Sequence, residues 1–138
     1  LPFPSCGWGS DTTCHWFGGD WQIGDPIPRS NLQALLRIAA TCAASGVHLV
    51  VVNFPQSPAF ASTSCYGVYG PGQSTARDVL GYLDSVATTQ SYLHFYDANL
   101  YGEHDYVDAD AYDADHLSAQ GAAKFTGRLD SLISAILP

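Results

Sequence analysis

Val47-His48-Leu49-Val50-Val51-Val52 is a largely β-branched run with Gly46 before it and Asn53-Phe54-Pro55 after it. Apolar side chains at almost every position suit a strand covered on both faces, the kind found in parallel sheets flanked by helices. Upstream, Ser30-Asn31-Leu32-Gln33 has the form of a capping box. It predicts a helix starting at Ser30, with Leu32, Leu35, Leu36, Ala39 and Ala43 on one face and Gly46 as its stop. Downstream, a loop rich in Ser, Gly, Pro and Tyr runs to about Gln73, and Thr75 with Asp78 caps a second helix bearing Val79, Leu80, Leu83, Val86 and Ala87. Tyr92-Leu93-His94-Phe95-Tyr96 reads as a second short strand with Asp97 at its end. Ser118 caps a final helix that aligns Ala122, Phe125, Leu129, Leu132, Ile133 and Ile136.

The order α-β-α-β-α predicts a layered α/β chain. Residues 1–29 hold four of the eight prolines and all three tryptophans without a helical or strand period, so they read as an irregular, disulfide-pinned segment ahead of the α/β portion at 30–138. Two parallel strands make a very small sheet, and a strand apolar on both faces has two hydrogen-bonding edges to satisfy. The expectation is an incomplete sheet, finished by another polypeptide segment or by identical subunits.

Composition narrows the function. The 138 residues fit one domain, and 13% charged against 46% apolar residues excludes a disordered chain. A net charge of -8, with Lys124 as the one lysine, argues against nucleic acid, whose phosphates call for clustered cations. No apolar run reaches the length of a membrane span. Cys6, Cys14, Cys42 and Cys65 form no Cys-x-x-Cys pair, and with so little lysine they suggest an oxidising, extracellular or periplasmic setting. The pairing expected is Cys6–Cys14 and Cys42–Cys65. The chain opens Leu-Pro-Phe-Pro without a signal pattern, so a removed signal or a longer upstream segment is expected.

One constellation carries chemistry. Asp113-Ala114-Asp115-His116 lies just before the last helix, and a carboxylate three residues ahead of a histidine can hold Nδ1–H and leave Nε2 as a base. The block Asp113-x-x-His116-Leu117-Ser118-x-x-Gly121-Ala122 resembles the last block of the SGNH (GDSL-type) hydrolase superfamily. Val50 to Pro58 (Val-Val-Val-Asn-Phe-Pro-Gln-Ser-Pro) and Phe95-Tyr96-Asp97 resemble its branch of alginate acetyltransferase-like and D-alanine-transfer proteins. The similarity spans roughly residues 30–138. It implies a three-layer α/β/α fold with a flavodoxin-like parallel sheet, of which this chain has the C-terminal half. It also implies ester hydrolysis or acyl transfer, often on acetylated sugars, with Asp113 and His116 as acid and base of a Ser-His-Asp triad and with no cofactor.

The family's Gly-Asp-Ser nucleophile block and its oxyanion Gly and Asn lie upstream of the matched region. Gly9-Ser10-Asp11 inverts that motif without a preceding strand, Gly19 and Asn31 are too close in sequence to span the missing elements, and Ser57 is on the wrong segment. A serine from outside this segment is therefore expected. The alternative is a non-catalytic extracellular subunit that assembles into an oligomer or filament. Six acidic residues between 103 and 115 lack the spacing of a calcium loop, and His15 and His104 form no zinc pattern, so no metal is expected. Tyr66, Tyr69 and Tyr101 are the loop aromatics placed to stack on a glycan.

Overall fold

In the computed structural model, residues 4–15 and 21–137 are described. Three helices and two strands follow in the order α1 (Pro26–Ala44), β1 (Leu49–Asn53), α2 (Gln73–Ala87), β2 (Leu93–Asp97) and α3 (Ala119–Ile136), with 3-10 turns at Pro58–Ser62, Leu100–Gly102 and Asp108–Asp110. The strands are parallel, joined through α2, and pair in the register Leu49 with Leu93 through Asn53 with Asp97. The chain is thus α/β with a two-stranded parallel sheet. Among the described residues neither strand has a second neighbour.

The helix starts differ from the capping signals. α1 begins four residues before Ser30, with Asp25 as N-cap. Pro26 and Pro28 suit its first turn, where their fixed φ is helical and their missing N–H groups would have no intrahelical acceptor anyway. Thr75 caps nothing: α2 starts at Gln73 behind Gly72, and the Thr75 hydroxyl donates to the Trp21 carbonyl at 3.0 Å. Gly46 does stop α1, at φ 66°, with its N–H on the Ala43 carbonyl. Ser118 does cap α3, accepting from the Gly121 N–H at 3.2 Å.

Alternation along the strands sorts side chains to two faces. Val52 and its register partner Tyr96 pack with Phe125 and Leu129 of α3, together with Trp8, Ala98, Tyr106 and Ala111. Phe95 turns the other way, onto Ala76 and Leu80 of α2 and onto Tyr66 and Tyr101. The expectation that β1 is buried on both faces is not met, because all five of its residues are half-buried. The reason lies in its cover: among the described residues β1 has one strand neighbour, and α1 fully buries only Ala39 while Ile27 and Ile38 stay exposed.

The N-terminal segment adds no strand in residues 4–15. It docks by its backbone, with the Cys6 and Gly7 N–H groups on the Ala111 carbonyl, and inserts Trp8 into the core. These contacts overturn the expected cysteine pairing. Cys6 is drawn to Ala111, whereas the His15 N–H bonds the Val68 carbonyl and carries its neighbour Cys14 toward Cys65. The disulfide is Cys14–Cys65, with a Cα separation of 6.0 Å. Cys42 sits in the last turn of α1, ahead of β1, while Cys65 lies in the loop beyond β1, bridged to Gly72. Cys6 and Cys42 are free thiols. No helix among the described residues is long and apolar enough to cross a membrane.

Candidate active site at the Asp113–His116 loop

An isolated antiparallel bridge between Ala111 and Leu117 closes the loop that bears Asp113 and His116, and the Tyr112 N–H bonds the His116 carbonyl at 2.9 Å. Below it, Asp110 is the anchor. Its buried carboxylate accepts from the Val107 N–H, from Gln120 and from Lys124, the last at 3.1 Å, so a costly buried charge is fully partnered. The Ser118 hydroxyl donates to the Ala109 carbonyl and its N–H to the Asp110 carbonyl. Gly121 rests on that same carbonyl, and a Cβ there would lie 1.9 Å from the Asp110 oxygen. The Leu-Ser-x-x-Gly pattern therefore has a packing cause: it lets the first turn of α3 close against the loop.

On this base Asp113 folds back over its own chain. Its Oδ1 accepts from the Asp115 N–H at 3.1 Å, from the His116 N–H at 2.9 Å and from His116 Nδ1 at 2.8 Å. Asp115 Oδ1 stands 3.0 Å from the same Nδ1. One ring N–H is thus held between two carboxylates, which fixes the tautomer and turns Nε2 outward on a side chain that is 67% exposed. The Asp113 hydrogen bond, opposed by slight burial and assisted by Asp115, raises the His116 pKa. Partial burial works against ionisation of Asp113, but the Asp115 amide and the His116 ring outweigh it and hold that carboxyl low. Asp115 goes the other way, raised by burial and then by the neighbouring Asp113. Sequence spacing identified Asp113 and His116; it did not single out Asp115, although its place beside the histidine was the available signal.

The site faces the C-terminal ends of the strands. The Ser57 N–H, in the loop that leaves β1, donates to the Ala114 carbonyl at 2.8 Å. Neither considered serine supplies a hydroxyl to His116. Ser10 is exposed, and Ser57 Oγ, buried, accepts from the Ala59 N–H to cap a 3-10 turn. Asn31 lies on α1 beside an open groove of about 690 Å³, and Gly19 falls outside the described residues. Asp113, Asp115 and His116 are also the group among the described residues whose ligating atoms approach within 4.8 Å of one another. His104 is structural: Nε2 donates to the Gln56 carbonyl at 2.6 Å while Nδ1 accepts from the Tyr106 N–H.

The three tyrosines are not equivalent. Tyr66 is buried, with its hydroxyl 2.5 Å from Asn53 Nδ2, so its ring belongs to the core rather than to an open stacking surface. It meets the edge of Tyr101, at 6.0 Å between centroids. Tyr69 is 61% exposed and tilts against His15.

Comparison with protein-family models, with curated proteins and with solved structures finds no match to this chain.

Proposed function

We propose that this chain is the acid–base half of a secreted SGNH-type esterase or acyltransferase that acts on carbohydrate esters. The observation that carries the reading is the 2.8 Å contact of Asp113 with His116 Nδ1, which leaves Nε2 outward at the C-terminal end of a parallel sheet. In this mechanism His116 Nε2 takes the proton of a serine hydroxyl as it attacks the ester carbonyl, and returns it to the departing alcohol. Asp113 orients the ring and stabilises the imidazolium, and Asp115 adds a second negative charge beside it. The serine and its oxyanion donors come from a polypeptide segment outside these residues. The half-buried β1 and the thin cover of α1 support a larger, three-layer sheet of flavodoxin-like order, completed by that segment. The Cys14–Cys65 disulfide supports an extracellular or periplasmic location.

A fluorophosphonate probe applied to the natural protein containing this chain tests the reading. The expected result is covalent labelling of one serine, lost in His116→Ala and reduced in Asp113→Asn. Absence of labelling, or labelling indifferent to His116→Ala, overturns it.

The edge of β1, unpaired among the described residues, supports a second reading, a non-catalytic subunit that assembles with copies of itself through β1. Sedimentation of the chain separates the two: concentration-dependent oligomers favour assembly, and a monomer at all concentrations rejects it.

A further inference from the structure

A second concave surface lies beside β2, and it involves none of Asp113, Asp115 or His116. A cavity of about 260 Å³ is lined by Leu80, Gly81, Asp84, Phe95, Asp97 and Tyr101. Its volume falls just below the range of drug-sized ligand pockets, which suits a small molecule.

Each wall is built differently. Tyr101 is held in place: the Arg77 guanidinium stacks 4.9 Å from its ring centroid, and Tyr66 meets it edge to face. Its backbone and that of Leu100 take φ of 56° and 47°, left-handed values that cost free energy for non-glycine residues. Among the described residues, Asn53 Nδ2 and the amides of Asn99 and Leu100 all donate to Asp97 Oδ1 and fix the carboxylate. Asp84 is exposed at the rim. Burial first, then Asp97 and, more weakly, Asp84 raise the Tyr101 hydroxyl pKa, while the Arg77 guanidinium on the ring lowers it, so two carboxylates and one cation act at this ring.

Gly81 is the telling residue. It sits in the interior of α2, where glycine is the poorest helix former after proline. A Cβ built there meets nothing within 4 Å, so no packing demand of the fold explains the glycine. It lines the cavity, where a large side chain would add bulk at the wall.

We propose that this cavity binds a small organic ammonium ion, with the protonated amine between Asp84 and Asp97 and the apolar body against Phe95, Tyr101 and Leu80. Two carboxylates against the single Arg77 guanidinium leave the cavity net negative, which favours a cation over a neutral molecule of the same shape, and the strongly negative chain concentrates cations at its surface. The proposal is independent of the acyl-transfer reading.

The test is a titration of the isotopically labelled full chain, followed by amide NMR, with cyclohexylammonium chloride and separately with cyclohexanol as its neutral counterpart. Cyclohexylammonium is expected to give saturable shifts at Gly81, Asp84, Phe95 and Tyr101, with cyclohexanol roughly tenfold weaker or more. Asp84→Asn, an exposed change that leaves the core alone, is expected to weaken the ammonium roughly fivefold. Gly81→Phe is expected to abolish binding while keeping the fold, since its side chain enters the cavity. Equal binding of cyclohexanol, no saturable shift with cyclohexylammonium, or unchanged affinity in folded Gly81→Phe overturns the proposal. Should Gly81→Phe not fold, an unchanged affinity in Asp84→Asn does the same.

Discussion

Asn53 and Asp97 end their strands as register partners, and Asn53 Nδ2 donates to Asp97 Oδ1 at 2.6 Å while also reaching the Tyr66 hydroxyl. The backbone amides of Asn99 and Leu100 converge on the same oxygen, so this one carboxylate sets the path of the chain as it leaves β2. Asn53→Asp replaces the donor with a second carboxylate. The expected loss is about 1–3 kcal/mol of unfolding free energy at pH 7, and smaller at about pH 4, because close carboxylates repel and the pair takes up a proton as the pH falls. Urea melts of the two proteins at both pH values check it.

The disulfide makes a prediction in two parts. A peptide map without reduction is expected to show Cys14 joined to Cys65, with Cys6 and Cys42 alkylated beforehand. The bond closes a 51-residue separation, so Cys14→Ser is expected to cost about 4 kcal/mol on the chain-entropy account. Equilibrium denaturation measures that cost.

Gly121→Ala is expected to destabilise the fold by about 1–3 kcal/mol, because the new methyl group meets the Asp110 carbonyl and α3 must lift from the site loop. Gly127, also in α3, has open space at its Cβ position. Gly127→Ala is therefore the control, expected to be neutral or stabilising in the same melts.

Much of the frame was legible before the structure. The apolar run ending at Val52 and the pattern around Phe95 announced two parallel strands, and Asp113 with His116 announced their contact, because short-range spacing decides both. Where two local signals competed, the sequence misled. Ser30 and Thr75 look like caps, yet two prolines start α1 earlier and Thr75 serves Trp21 instead. What the sequence hid altogether is long-range: Cys14 pairs with Cys65 beside the His15 N–H bond to the Val68 carbonyl, and Tyr66 lies in the core against Ala76 and Leu80 with its hydroxyl on Asn53. The burial of β1 was overstated for a related reason. An apolar run shows what a strand is suited to pack against, not whether these residues provide it.

Two histidines titrate in opposite senses. Asp113 raises His116, whereas burial and then His48, whose Nδ1 lies 2.8 Å from His94 Nε2, lower His94. The His116 contribution to stability is therefore full below pH about 6.5 and is lost as the pH rises through its folded value. The His94 contribution is full above that pH and is lost as the pH falls through its folded value. Proton NMR of the ring resonances is expected to place His116 above and His94 below an ordinary histidine. Asp113→Asn is expected to bring His116 down and leave His94 where it was.

The proposed role of His116 as general base of an acyl-transfer site makes ester cleavage depend on pH in a specific way. In the natural protein containing this chain, kcat/KM for p-nitrophenyl acetate is expected to rise with pH through an inflection that matches the His116 titration seen by NMR. His116→Gln is expected to remove the inflection and lower the rate by roughly 10³-fold or more. A rate unchanged in His116→Gln, or an inflection that ignores the shift produced by Asp113→Asn, contradicts the account.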